Sequence, residues 1–345
     1  MWEGPKILPS PRSKTDLIPK LTIIAAMGVH HQTGHRGFFR GLLYRLRKKL
    51  PQSMRNRVWK NSATAVFERR GYQNQVPLFS AIEIETRTRC NSTCSFCAAS
   101  ILTDTRPDIL MPDTLYTKLI SELVDLEYEG TIKFFVNNEP LLDKRNPDFI
   151  RQAKAALPKV KTELHTNGLK LNPKSGLEIL EAGLDLLYIN NYSNEGKMHR
   201  GVKAFLDEVA PKFPDCEIIF HLRQLDEQLL NRGGTAPNGR ELPKALELPC
   251  VLPFDEVVLT ADGRVTICCQ DHYFEAAVGN LNKSKIDEIW FGEGFQKLRA
   301  ALLKSDRSIN KFCQACDFRG YKEEHLTAGE LYRNRAVGAL LEDFS

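Results

Sequence analysis

From Pro77 onward, short runs of alternating apolar and polar residues are separated by longer stretches of helical spacing. Residues 79–86 (FSAIEIET) alternate as a strand does, and 131–137 (TIKFFVN), 160–165, 186–190 and 217–222 (EIIFHL) repeat the pattern. Helical stretches fall between them near 113–128, 147–156, 174–183 and 200–210. Such alternation predicts parallel strands joined by helical crossovers. Five units predict an α/β fold, a partial (β/α) barrel or an open sheet, with its site at the carboxyl ends of the strands. After Cys250 the texture changes. Residues 257–260 and 265–268, joined by a turn at Ala261, Asp262 and Gly263, predict a β-hairpin. A helical stretch at 284–303 and a cysteine-rich loop at 311–320 follow.

The N-terminal part reads differently. Residues 1–35 show no sustained period. In 36–50 (RGFFRGLLYRLRKKL), Phe39, Leu42, Leu43, Leu46 and Leu50 follow a helical spacing among arginines and lysines. Pro51 ends that amphipathic helix, and a second basic stretch covers 55–70.

Length and composition narrow the class. A chain of 345 residues suits two domains, or one barrel with an attachment. With 42% hydrophobic and 26% charged residues it reads as an ordinary globular protein, not a disordered chain. The apolar patch at 21–29 is too short to span a bilayer and too broken for a secretory signal. Nine cysteines without an export signal favour reduced thiols or metal ligands over a disulfide framework, and a reducing cytoplasm is expected.

The net charge of +5 hides an asymmetry, because residues 1–75 hold 15 Lys and Arg against three Asp and Glu. The basic character belongs to the extension. Its helix is expected either to lie on the inner face of an anionic membrane, through residues 36–60, or to pack its stripe on the catalytic body. No nucleic-acid partner is expected, since no reading motif accompanies the charge.

The cysteines carry the chemistry. Cys90, Cys94 and Cys97 lie within eight residues of the loop after the first strand, so three thiolates can converge on one soft metal centre. Three ligands match an iron–sulfur cluster with one iron left open better than a closed zinc site. This C-x-x-x-C-x-x-C loop after the first strand of a partial barrel resembles that of the radical S-adenosylmethionine superfamily. The resemblance implies a [4Fe–4S] cluster on Cys90, Cys94 and Cys97 whose open iron binds S-adenosylmethionine. It implies reductive cleavage to a 5′-deoxyadenosyl radical that abstracts a substrate hydrogen atom, with a low-potential electron donor such as flavodoxin or ferredoxin. Phe96 matches the family's usual aromatic beside the third cysteine. Glu139 and Pro140 match a Gly-Gly-Glu-Pro segment that receives the methionine amino group, with Asn137 and Asn138 in place of the glycines. Thr166, Asn167 and Gly168 match a frequent element near the cofactor. Asn190 stands where polar groups meet ribose or substrate, and Arg223 offers a planar fork to a carboxylate.

Cys250, Cys268, Cys313 and Cys316, with 17, 44 and two residues between them, form a second set. With the preceding hairpin they resemble the Twitch domain, the one-cluster relative of the SPASM domain. This implies an auxiliary [4Fe–4S] cluster in electron transfer; a closed zinc site is equally compatible with four cysteines. The expected organisation is a basic extension at 1–75, a barrel at 78–249, an auxiliary-cluster domain at 250–325 and a tail at 326–345. Cys216 and Cys269 remain. Cys269 could supply a hydrogen atom to a substrate radical, and Asp271 or His272 could take a proton during alcohol oxidation. The loop of Asn231, Arg232, Gly233 and Gly234 is a candidate wall of the substrate cavity.

One auxiliary cluster beside a radical barrel is similar to the arrangement in an amino-cyclitol dehydrogenase. Oxidation or epimerisation of a sugar-like or cyclitol-like small molecule is therefore the leading expectation. Modification of a peptide substrate by the same chemistry is the alternative. A non-catalytic iron–sulfur or zinc-binding partner protein is the reading from a different class.

Overall fold

Strand β1 (Ala81–Ile84) is buried along its whole length because it has a parallel neighbour on each side. The computed structural model describes residues 52–322. Within them β1, β2 (Thr131–Lys133), β3 (Lys161–Thr166), β4 (Leu186–Tyr192) and β5 (Glu217–Arg223) run parallel in that spatial order. Helices α2 (Asp113–Asp125), α3 (Asn146–Ala156), α4 (Pro173–Glu181) and α5 (Arg200–Glu208) make the four crossovers, as the alternation predicts. Strand residues split by face. Leu164, Leu187 and Ile189 join the apolar core with Ile179, Val202 and Phe205 from α4 and α5. Their neighbours His165 and Asn190 line a cavity on the other face.

The sheet continues past the barrel. Strand β6 (Glu256–Leu259) pairs in parallel with β1, setting Ile82 against Val257 and Ile84 against Leu259. It then turns into β7 (Arg264–Thr266) and β8 (Ala277–Asn280), both antiparallel, to give eight strands in the order β5-β4-β3-β2-β1-β6-β7-β8. The predicted hairpin is present, but its first strand also completes the barrel edge. Short α6 (Leu252–Asp255) precedes β6, and α7 (Ile286–Trp290) and α8 (Glu293–Leu303) replace the single expected helix, divided at Gly292. Helix α9 (Lys311–Ala315) leads into Cys316.

The second basic stretch is not a free arm. It forms helix α1 (Gln52–Arg70), whose Trp59, Ala63, Val66 and Phe67 recur at helical spacing and are buried. Ala63, Val66 and Phe67 share a core with Val251, Phe254, Ile267 and Phe312, so α1 packs against the cysteine-bearing C-terminal part. Phe67 meets Phe254 edge-on at 4.9 Å, and the Tyr72 hydroxyl donates to Asp255 at 3.0 Å. The expected boundary at 75 therefore cuts through packed structure. The amphipathic helix at 36–50 and the tail at 326–345 lie outside the described residues. Replacing Phe67 with Ala is expected to cost ~3–5 kcal/mol, the range for emptying a buried aromatic site. Urea denaturation measures this; a change below ~1 kcal/mol would mean that α1 does not share the core.

Candidate active site

The carboxyl ends of β1–β5 open onto a cavity of about 410 Å³. Cys90, Cys94 and Cys97 line it together with Phe96, Asn138, Glu139, Thr166, Asn167, Asn190 and Arg223. Residues far apart in the chain are thus brought to one place, as the resemblance implies. Pro140 does not line the cavity; it starts a short 3₁₀ turn, and its carbonyl accepts from Asn146 at 2.7 Å.

The cysteine loop is held from two sides. Ser95 N–H donates to the Leu225 carbonyl at 2.8 Å, after β5, and Ile101 N–H closes the loop on Ser92 at 2.9 Å. Asn167 Nδ2 donates to Asn91 at 2.9 Å and reaches Cys90 Sγ at 3.5 Å, tying the turn after β3 to the cysteines. Burial pushes the Cys90 thiol up to about 12 and the Cys94 thiol up to about 11, with Cys97 adding to both. Thiols so placed ionise only against a compensating cation, and metal binding releases their protons.

The cradle around the cofactor position is built from buried hydrogen bonds. Glu139 accepts from Thr166 Oγ1 at 2.7 Å, Asn167 N–H at 2.7 Å and Leu141 N–H at 3.1 Å. Its carboxylate therefore joins the loop after β2 to the turn after β3. Gly168 has φ +77°, and a Cβ there would meet Val202 at 2.8 Å, so this tight turn requires glycine. Asn138 Oδ1 accepts from Val136 N–H at 2.9 Å, which braces the loop where the family has glycine. Two cavity-lining amide atoms, Asn138 Nδ2 and Asn190 Oδ1, are buried without a protein partner. One donor and one acceptor left open suit a polar cofactor rather than an apolar filling. The Phe96 ring lies 5.5 Å from that of Tyr192 on the same wall. Arg223 is already held by Glu227, with Nε 3.0 Å from the carboxylate.

Cys250, Cys268, Cys313 and Cys316 converge as the second set. Burial first, then the neighbouring Cys269 and after it Cys313, Cys316 and Cys250, push the Cys268 thiol far up. Cys250, Cys313 and Cys316 all act on Cys268 through their charge, and four thiols so gathered are a donor set that a fully ligated cluster would satisfy. Asn231 connects this set to the barrel: its Nδ2 donates to the Ala315 carbonyl at 2.8 Å and its N–H to Asp317 at 2.9 Å. Gly233, at φ +63°, lies against the Phe312 ring where a Cβ would come within 2.1 Å. Arg232 and Gln270 line the first cavity, and Arg232 Nη2 donates to the Cys269 carbonyl at 2.8 Å. Part of the cavity wall is therefore the segment next to Cys268.

Three sequence expectations are corrected. Cys269 does not line the cavity; its Sγ lies 3.6 Å from Glu256 Oε1, grouped with Glu83, where Lys133 and Lys322 counter the acids. Asp271 is occupied by Thr266 Oγ1 and the N–H groups of Glu275 and Ala276. His272 is fully buried outside the cavity, with no hydrogen bond to either ring nitrogen and Asp104 at 3.8 Å. Burial lowers its pKa from 6.5 to about 4. Between those values the unfolded chain binds the proton and the folded one does not, so stability falls as pH drops from 6.5 towards 4. A His272→Asn variant is expected to lose up to ~3 kcal/mol less than wild type over that window in paired urea titrations. Parallel curves would contradict this.

The sequence reading missed two clusters. Arg106 is buried and donates to Glu85 at 2.8 Å, Asp104 at 3.0 Å and the Asn137 carbonyl at 2.8 Å, clamping the cofactor loop. Inside the barrel, Phe135, His165, Tyr188 and His221 stack in a row across the strands, with centroids 3.7, 4.6 and 5.0 Å apart. Alternation on β3 and β4 was the available signal, since it puts polar ring-bearing residues on the face away from the helices.

Comparison with known proteins agrees with this geometry. The family model of an iron–sulfur cluster-binding domain, SPASM, matches residues 250–317. The S-adenosyl-L-methionine-dependent 2-deoxy-scyllo-inosamine dehydrogenase of Niallia circulans is 30% identical over 240 residues, covering 70% of this chain and 93% of the relative. The crystal structure of BtrN with AdoMet and 2-DOIA superposes with a TM-score of 0.61 at 27% identity, over 71% of this chain and 95% of that one. An open conformation of BtrN gives 0.52 at 24% identity, over 71% and 94%, a likeness of fold. Among the described residues no helix is long and apolar enough to cross a membrane. The thiol sets, the cradle and these likenesses together place the chain in the radical S-adenosylmethionine enzymes that carry an auxiliary SPASM-type iron–sulfur domain.

Proposed function

We propose that this protein oxidises a secondary alcohol of a polyhydroxylated small molecule, a sugar or cyclitol, to a ketone. The observation that carries this reading is the shared wall: Gln270, two residues from Cys268, lines the cavity that also holds Cys90, Cys94 and Cys97. When bound, the first cluster with S-adenosylmethionine supplies a carbon radical that takes a hydrogen atom, and the second cluster supplies a one-electron acceptor. The chain positions the participants. Asn138 Nδ2 and Asn190 Oδ1 offer an open donor and acceptor to polar groups of the cofactor or substrate. Arg232 presents permanent donors to substrate oxygens from the auxiliary side. Phe96 and Tyr192 form an aromatic wall that limits water around a reactive radical. The 2-deoxy-scyllo-inosamine oxidised by the Niallia relative is the first substrate to try. A low-potential flavodoxin or ferredoxin would supply the electron.

Replacing Cys313 and Cys316 with Ala tests the division of labour. With the inosamine and a strong reductant, the variant is expected to keep forming 5′-deoxyadenosine while ketone falls below about a hundredth of wild type, about 2.7 kcal/mol in barrier terms. Ketone at the wild-type ratio would refute the auxiliary role.

A further inference from the structure

We propose that His165 takes the hydroxyl proton of the substrate at Nδ1, with Glu163 as the positioning residue that orients the ring. This rests on the alcohol-oxidation reading above. Glu163 and His165 are two residues apart on β3, so both point to the barrel interior. His165 Nε2 lies 2.5 Å from Glu163 Oε1, which fixes Nε2 as the donor to a carboxylate. Both ring faces are covered: Phe135 stacks at 3.7 Å and 9°, and Tyr188 at 4.6 Å and 29°. Tyr188 is braced in turn by its hydroxyl, 3.0 Å from His221 Nε2. Nδ1 has no hydrogen-bond partner among the described residues, and the ring lines the cofactor cavity. A base oriented by a carboxylate on one nitrogen and open at the other is the general arrangement for taking a hydroxyl proton.

The other polar groups of the cavity do not compete. Glu139 is engaged by three donors, Arg223 and Arg232 have no acceptor, and burial pushes the Tyr192 phenol up. Burial lowers the pKa of His165, which keeps the ring neutral and able to accept. Glu163, Lys133 and Lys322 face it from a charged cavity of about 500 Å³ below, which Glu83 and Glu256 also line, and Tyr188 and His221 flank it. Glu163 is held below its ordinary value: burial raises it, and the His165 bond and Lys133 outweigh that.

The step balances. The substrate C–H breaks and its hydrogen atom forms a new C–H bond at the 5′ carbon of the cofactor fragment. The O–H proton forms an N–H bond at Nδ1. The one electron left over passes to the auxiliary cluster, and C–O becomes C=O.

The test uses cluster-loaded enzyme with 2-deoxy-scyllo-inosamine. His165→Gln is expected to lower ketone formation ~100-fold, in the range lost with a general base, with KM little changed. 5′-Deoxyadenosine should still form, and an organic radical should accumulate in freeze-quenched EPR samples. Glu163→Gln should keep part of the ketone yield and displace the acid limb of the pH profile. Wild-type ketone yield and an unchanged pH profile in His165→Gln would overturn the proposal. A wild-type enzyme that ignores the inosamine refutes the substrate reading instead, and ring-nitrogen NMR of the oxidised protein then decides. A neutral Nε2–H ring that loses this preference in Glu163→Gln supports the assignment; an Nδ1–H ring overturns it.

Discussion

Alanine at Cys90, Cys94 and Cys97 together is expected to abolish cleavage of S-adenosylmethionine and to leave about four iron atoms per chain in place of about eight. The three thiols line one cavity, and Asn167, Asn91 and Ser92 hold their loop against the turn after β3. Glu139, the carboxylate lining that cavity, has both oxygens engaged by donors. Loss of the thiolates therefore removes the only soft donors at this place among the described residues. The fold should persist, because Cys268 and Cys313 belong to the other core, with Cys250 packed against it. Iron and 5′-deoxyadenosine assays on anaerobically reconstituted protein read both results. Residual cleavage, or loss of all iron, would contradict the two-site account.

Replacing Arg106 with Leu is expected to destabilise the protein by ~3–5 kcal/mol, the range for breaking a buried ion pair by removing one partner. Arg106 is 9% exposed in its side chain, against 0% for Glu85 and 3% for Asp104, so neither acid can turn to solvent. Burial already pushes the Glu85 carboxyl up to about 7 with Arg106 opposing it. Without the guanidinium the carboxyl must bind a proton or remain an unpaired charge. The same substitution frees the Asn137 carbonyl next to Asn138 and Glu139, so affinity for S-adenosylmethionine should fall as well. The double variant Arg106→Leu, Glu85→Leu should recover part of the stability, because it removes the orphaned acid. Urea denaturation and equilibrium binding measure the two effects. A loss below ~1 kcal/mol would show that water reaches the cluster.

Much of the barrel was legible because each crossover is local. Apolar runs such as 186–190 and intervening helices at 3.6-residue spacing identify their elements without reference to distant partners. The pairing of β6 with β1 was not legible, since parallel register between Ile82 and Val257 leaves no local mark. The burial of α1 was hidden by arginines and lysines on its outer face, and its stripe of Trp59, Ala63, Val66 and Phe67 emerges only against Phe254 and Phe312. At the site, the cysteines were readable from their spacing, and the 166–168 turn from the family resemblance. Glu163 and His165 were not, because charged residues in a strand look solvent-facing until the strand closes on a barrel interior. Adjacency misled for Cys269 and His272: one side chain turns to Glu256 and the other is sealed beside Asp104.

The shared wall between the two cysteine sets predicts hydrogen abstraction from an alcohol carbon, and isotope transfer tests it most directly. Reduced, cluster-loaded enzyme is given S-adenosylmethionine and 2-deoxy-scyllo-inosamine carrying deuterium on its hydroxyl-bearing carbons. The account predicts 5′-deoxyadenosine with one deuterium, formed in equal amount with a ketone. Deuterium-free 5′-deoxyadenosine alongside ketone, or ketone formed without S-adenosylmethionine, would contradict it.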